Sequence, residues 1–242
     1  MSRYWDEDSN YRQPTVQELQ RSAAASQKKA RNKGQAWEPV IVQGRTIAKS
    51  WWGKAWCDNL ERYADYGNRL DRGKRYVRTG AVVDLQIQKG TILSRVQGSR
   101  KTPYKVEVQI RPVSEERCQR ITQCCNRKVQ NLEKLLSGNF PEELKELFTG
   151  RDGLFPSPGE ISFTCSCPDW AVMCKHVAAT LYGVGTRLDE APALFFQLRG
   201  IDMEQFIDVA LANKVEAMLA NAQKPSDRIL TGQDMEALFG VL

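Results

Sequence analysis

The stretch Phe163-Thr-Cys-Ser-Cys-Pro-Asp-Trp-Ala-Val-Met-Cys-Lys-His-Val-Ala-Ala-Thr-Leu-Tyr182 decides how the chain is read. Within twelve residues it places Cys165, Cys167, Cys174 and His176, and His176 is the only histidine in the sequence. Three thiolates and one imidazole are the soft and borderline donors that a tetrahedral zinc ion takes. The spacing is C-x-C, six residues, then C-x-H, so one residue intervenes in each tight pair. Residues i and i+2 of an extended segment point the same way. Cys165 and Cys167 therefore converge if residues 161–165 form a strand that runs into a turn at Pro168. Cys174 and His176 then stand at the start of a helix whose apolar series Val177, Leu181 and Val184 has helical spacing until Gly183 and Gly185 break it. Taken singly, such cysteines are most often buried small hydrophobes, and one of them with His176 could serve as a nucleophile pair. A nucleophile needs one activated thiolate and an orienting third group, so three cysteines around one imidazole favour the metal. One structural zinc ion, Zn2+, is the expected cofactor, and its removal is expected to disorder the C-terminal half.

The C-x-C-x6-C-x-H arrangement resembles the SWIM zinc finger. Cys167-Pro-Asp-Trp170, followed by Cys174-Lys-His-Val-Ala-Ala179 and Leu181-Tyr-Gly-Val-Gly185, is similar to its bacterial form, over roughly residues 150 to 200. Arg75, Tyr76, Arg78, Gly80 and Val82, with Gly98-Ser-Arg-Lys-Thr-Pro-Tyr104, extend the resemblance to most of residues 40 to 200. The resemblance implies DNA or protein binding. It also implies a partner, a SWI/SNF-type DNA-translocating ATPase beside which bacterial members tend to be encoded.

Around this stretch the composition is that of a soluble globular chain, with 242 residues, 41% hydrophobic and 26% charged, enough to bury a core. No run of eighteen apolar residues occurs, and the polar N-terminus Met1-Ser-Arg-Tyr-Trp-Asp-Glu-Asp8 lacks a secretory core, so no membrane span is expected and the location is read as cytoplasmic. Beyond the three candidate ligands, Cys57, Cys118, Cys124 and Cys125 have no disulfide-framework spacing, which suits a reducing compartment. The net charge of +6 hides an asymmetry: residues 1–112 carry 22 Lys and Arg against 11 Asp and Glu, leaving 13 against 18 for residues 113–242. A basic N-terminal half facing a polyanion explains this better than a solvated surface alone.

Residues 1–36 read as a basic, polar extension. A helix is expected from Thr15, where Thr15 and Glu18 have capping-box spacing, but the segment has almost no apolar face and is expected to be mobile or to fold on a partner. Residues 39–47 read as a strand with a central turn. Residues 50–63 read as a helix capped by Ser50, with Trp52, Trp56, Leu60 and Tyr63 on its core face and Trp51 off that stripe. Residues 68–80 form the densest positive stretch, a glycine-punctuated run carrying Arg69, Arg72, Lys74, Arg75 and Arg78 against Asp71. Three alternating segments, 81–88, 91–97 and 104–111, predict an antiparallel meander with Val83, Leu85, Ile87, Val106, Val108 and Ile110 inward and Lys105 outward. Arg100 and Lys101 lie in the loop before the third segment. Flexible cations beside glycine-bearing loops suit phosphate contacts, and Tyr76 or Tyr104 could add stacking. The candidate nucleic-acid residues are therefore Arg69, Arg72, Lys74, Arg75, Arg78, Arg100, Lys101 and Lys105.

Helices are further expected over 114–138, with Cys118, Ile121, Cys125, Leu132 and Leu135 on one face, and over 141–148, 189–199 and 201–219. Residues 222–230 read as a linker before a short terminal helix. The chain is thus expected to be α+β, with a small N-terminal antiparallel sheet and helices over 37–112, a helical segment over 113–150, the zinc-stapled finger over 151–200, and a mostly helical C-terminal part. No phosphate-binding loop, catalytic serine motif or acidic metal cluster occurs. Four protein ligands would also close a zinc site against catalysis, so no enzyme and no small-molecule substrate are expected. The expected function is binding of nucleic acid, DNA more than RNA, or tethering of a larger machine. The other reading is an adaptor, an accessory subunit of a ribosome or RNA polymerase complex.

Overall fold

Period-two alternation produces the sheet where the sequence places it. Val82–Gln88 (β1), Thr91–Val96 (β2) and Tyr104–Ile110 (β3) pair antiparallel in chain order, and the first turn closes at Gly90 with a φ of 69°. The computed structural model describes residues 13–128, 142, 145–150, 153–202 and isolated positions between 208 and 220. Within them a fourth strand, Ile161–Cys165 (β4), pairs antiparallel with β3 and completes the order β1-β2-β3-β4. The fold is α+β. The strand expected over residues 161–165 is present as β4, and it belongs to the same sheet as the meander.

Val106, Val108 and Ile110 are buried and Lys105 is exposed, the faces that alternation assigns. On β1 a bulge between Val82 and Asp84 leaves both Val82 and Val83 buried. It also buries Asp84, which accepts from the Glu38 amide at 3.1 Å and pairs with Arg95 at 3.2 Å.

A central helix, Lys175–Glu190 (α6), packs on all four strands and on two N-terminal helices. The first of these is Trp51–Glu61 (α2), capped by Ser50, whose hydroxyl accepts from the Gly53 amide at 3.0 Å. Trp56 is fully buried on its expected face and donates its indole N–H to Leu181 O at 3.0 Å. Trp51, off the stripe, packs edge-on against Trp52 and Phe148. The second is Gly67–Arg78 (α3), so the glycine-punctuated basic stretch is a helix and not a glycine-bearing loop open to phosphates.

Gly73 has a packing role: a Cβ there would sit 2.5 Å from Ala178 Cβ. Gly183 and Gly185 likewise do not break α6, which continues to Glu190. A Cβ on Gly185 would lie 2.8 Å from Cys57 Sγ, and one on Gly53 would lie 3.0 Å from Gly185 O. Glycine here lets α2 and α3 approach α6 at backbone distance.

The N-terminal helix Val16–Asn32 (α1) forms with the expected Thr15 and Glu18 capping box, yet it has a buried face after all. Leu19, Ala23, Ser26 and Ala30 recur with helical period and are buried, and Ser26 donates to Gln97 Oε1 at 2.7 Å. One leucine and three small residues are too few to register by count, but they suffice for close packing. The strand expected over 39–47 does not form. Residues 38–40 instead run along the β1 edge through Val40 N to Val82 O at 3.0 Å and Leu85 N to Glu38 O at 2.9 Å.

The helix Glu115–Lys128 (α4) begins where expected, and the rest of the expected 114–138 helix lies outside the described residues. Lys145–Thr149 (α5) occupies the end of the expected 141–148 helix. The helix expected over 189–199 is interrupted at Pro192: α6 takes its first two residues, and a separate helix, Leu194–Leu198 (α7), follows. The expected helix 201–219 and everything beyond it lie largely outside the described residues. No described helix is long and apolar enough to cross a membrane.

Behind α7, fully buried Arg199 donates to Arg111 O at 2.7 Å and to Glu160 Oε1 at 2.9 Å, and Arg117 also reaches Glu160 Oε1 at 3.0 Å.

Candidate metal centre

Strand pairing places the first two candidate ligands. Cys165 is the last residue of β4, opposite Val106 in the ladder, and the Ser166 amide donates to Lys105 O at 3.0 Å, so the chain leaves the sheet in a fixed direction towards Cys167. Cys174 stands immediately before α6 and His176 in its first turn. The four ligand atoms all lie within 4.8 Å of one another, and His176 Nδ1 is 3.8 Å from Cys165 Sγ and 4.0 Å from Cys174 Sγ. Such a cluster can hold a metal ion, and it unites all four residues that the spacing singles out.

Hydrogen bonds from the Cys165 and Cys174 thiols hold the Cys167 thiol far below its ordinary value. The reciprocal hydrogen bonds push Cys165 up. Cys174 rises on balance: its contact with Cys165 lowers it, but its hydrogen bond to Cys167 and burial raise it by more. Three sulfurs at this separation thus share their negative charge unless a cation joins them. Burial lowers His176, which favours the neutral imidazole that a metal ligand requires.

Nδ1 faces the sulfurs, and Nε2 is buried without a hydrogen-bond partner among the described residues. The ring is held by packing instead, stacked on Tyr104 at 4.2 Å and 25° with Tyr76 edge-on at 5.6 Å. Gly98 makes room for this: a Cβ there would lie 2.6 Å from the Tyr104 ring and 3.2 Å from His176 Nε2. The two tyrosines offered as stacking residues are therefore buried against the histidine, which corrects that expectation.

The six-residue loop between the ligand pairs is pinned from the α2–α3 connection. The Asp65 carboxylate accepts from the Val172 amide at 2.9 Å and the Met173 amide at 3.3 Å. Asp169 accepts from the Ala171 amide at 3.3 Å and pairs with Arg69 at 3.0 and 3.2 Å. Trp170, at the tip, is 77% exposed and meets Tyr66 edge-to-face at 5.4 Å. Asp65 and Tyr66 were not singled out from sequence, because their partners are distant in the chain. Gly98 and Trp170 stood within the quoted motifs, where nothing marked their packing roles.

The eight candidate nucleic-acid residues do not form one patch. Arg69 is held by Asp169, and Lys74 pairs with Glu61 at 2.7 Å, where Tyr182 also donates at 2.7 Å. Arg75 donates to Gln13 Oε1 at 3.2 Å and to Pro14 O, and Arg78 donates to Arg45 O at 2.9 Å. Arg100 lies over the Tyr104 ring at 5.1 Å. Lys105 is on the sheet face opposite α6 and so apart from α3. Arg72 and the exposed Lys101 have no hydrogen bond or ion pair from their side chains among the described residues. Arg72, Arg75 and Lys175 line one small recess beside the metal cluster.

No protein-family model matches the chain, and no solved structure does. Over 183 residues it is 37% identical to the uncharacterized protein Rv2102 of Mycobacterium tuberculosis, an alignment covering 75% of this chain and 64% of that relative. The chain thus spans less than two thirds of the relative's length.

Proposed function

We propose that this protein is a non-enzymatic, zinc-stapled module of the SWIM type that binds nucleic acid, DNA in preference to RNA, and tethers it to a larger machine such as a SWI/SNF-type ATPase. The observation that carries the reading is the Cys165, Cys167, Cys174 and His176 cluster. Zinc with sulfur at about 2.3 Å and nitrogen at about 2.0 Å asks for ligand separations of roughly 3.5 to 3.8 Å, against 3.8 and 4.0 Å from His176 Nδ1 to two of the sulfurs and at most 4.8 Å across the cluster. Four protein ligands leave a zinc ion no open position for substrate, so the metal would be structural. It would neutralise the thiolates and join β4 to α6.

The nucleic-acid part rests on the basic N-terminal half and on the cations the fold does not consume. Arg72 and Lys101 have no side-chain partner among the described residues, Arg78 is exposed with a single carbonyl partner, and Arg100 is exposed over Tyr104. Exposed charges contribute little to folding, so replacing all four by Ser should leave zinc content and thermal midpoint unchanged. Affinity for a duplex should fall for every sequence tested, with the salt slope shallower by up to about 0.9 per lost contact. Failure of the wild type to bind any duplex or single strand at low salt removes the nucleic-acid reading. Elemental analysis finding no zinc removes the SWIM reading.

A further inference from the structure

The two edges of the sheet are finished differently. Along β1 run residues 38–40, with Val40 N donating to Val82 O and Leu85 N to Glu38 O. Beyond β4 no segment of the described residues pairs. Which groups β4 offers there follows from its ladder. Ser166 N donates to Lys105 O at 3.0 Å and Arg111 N donates to Glu160 O at 2.8 Å, and each donor stands directly opposite its acceptor in the register that sets Cys165 against Val106 and Ile161 against Ile110. Hydrogen-bonded and non-hydrogen-bonded pairs alternate along an antiparallel ladder. Positions 160, 162, 164 and 166 therefore turn their backbone groups towards β3, and Ile161, Phe163 and Cys165 turn theirs to the free edge. None of those outward groups has a hydrogen-bond partner among the described residues.

Natural sheets ordinarily blunt such an edge with a charge, a proline or a bulge. β4, Ile-Ser-Phe-Thr-Cys, has none of the three, and its register with β3 is regular throughout. Ile161, Phe163 and Cys165 pack against the core and are still half open to solvent, while Ser162 and Thr164 are exposed on the other face.

Charge and symmetry select the occupant. A two-fold axis at a strand edge sets residues near their own copies, so a charged edge repels itself. The β4 sequence is uncharged. The acids that flank it are neutralised within the chain, Glu160 by Arg199 and Arg117 and Asp169 by Arg69. Lys105 and Glu107 on β3 would lie three strand spacings from the β3 of a second copy, about 14 Å against a screening length of about 8 Å. Centring the pair on Phe163 sets that residue opposite its copy and Ile161 opposite Cys165. Each of the three outward residues then finds a partner for its N–H and its C=O, whereas centring on 162 or 164 leaves one of them without a strand opposite.

We infer that β4 is a homodimerisation edge: two copies of the chain pair antiparallel through residues 161–165, centred on Phe163, and join their sheets into one. The two metal clusters then flank the axis symmetrically, with the Cys165 backbones about 14 Å apart. This stands independently of the nucleic-acid reading.

Sedimentation equilibrium of the full chain over a dilution series should show a monomer–dimer equilibrium. Ser162 of one copy opposes Thr164 of the other, and both side chains face solvent, so they probe the interface without touching the core. Ser162→Lys with Thr164→Lys should raise the dissociation constant by about tenfold or more, because two like-charge pairs then stand directly opposed. Ser162→Glu with Thr164→Glu should do the same, and an equimolar mixture of the two variants should dimerise at least as tightly as the wild type. Zinc content and thermal midpoint serve as folding controls. A wild type that stays monomeric at every concentration overturns the inference and leaves the edge to a strand of another protein. A dimer indifferent to both charge variants overturns it by placing the interface elsewhere. Variants that the mixture fails to restore overturn it by excluding this register.

Discussion

Glu160 is where one residue's chemistry is most exposed to experiment. It faces Arg199, which is fully buried, and Arg117, and its pKa is held at about 2, well below the ordinary 4.5. Burial opposes that shift, and the Ser157 amide with the Arg199 and Arg117 guanidiniums overrides it. A depressed carboxyl contributes stability that is present above its unfolded value and lost as pH falls. Denaturation between pH 4.5 and pH 2 should therefore become shallower in Glu160→Gln than in the wild type. Glu160→Ala at neutral pH strands Arg199 without its carboxylate and should cost about 3 kcal/mol in urea titration. A loss under about 1 kcal/mol would mean that the Arg111 carbonyl, with water, satisfies the Arg199 guanidinium without the carboxylate. None of this was legible in sequence, because Arg199 and Glu160 are 39 positions apart and nothing local marks either. The four metal donors were legible for the opposite reason: they are rare residue types within one short segment, and their chemistry shows before any folding is known.

At the level of elements, glycine is the residue whose meaning the sequence left open. Gly183 and Gly185 looked like helix breakers, and the glycine-punctuated run that holds Gly73 looked like a loop. All three lie inside helices, because what decides is the neighbour pressed against them. The same ambiguity hid the buried face of α1, whose four-residue stripe is periodic but made mostly of small side chains. β1, β2 and β3 were readable because alternation is a local property, whereas pairing of β4 with β3 is set by the tertiary fold. Gly185→Val should be severe: a Cβ alone would lie 2.8 Å from Cys57 Sγ, so α2 and α6 must separate. Overpacking of this kind costs about 1 to 3 kcal/mol, and a fall in thermal midpoint of several degrees is the expected reading. An unchanged midpoint would show that the Cys57 side chain can rotate clear.

For the whole molecule, the cluster ties the edge strand β4 to the helix on which all four strands and both α2 and α3 pack. Chelation is therefore expected to unfold more than the C-terminal half. Structural zinc contributes about 10 to 16 kcal/mol in small fingers, against about 5 to 15 kcal/mol for the net stability of a domain. Excess chelator should raise amide exchange in β1 and α2 as well as in β4 and α6. Protection retained in β1 and α2 would show that the sheet survives without the metal. The central position of α6 also governs how the protein is made. Roughly 100 residues separate the end of α3 from the start of α6, which at about 5 to 20 residues per second is 5 to 20 s of translation. During that interval Trp56, Val77 and Leu85 emerge from the ribosome before the helix that covers them has been synthesised. The nascent chain is then a substrate for chaperones, and the donors that complete the cluster, Cys174 and His176, emerge just as α6 becomes available to close it.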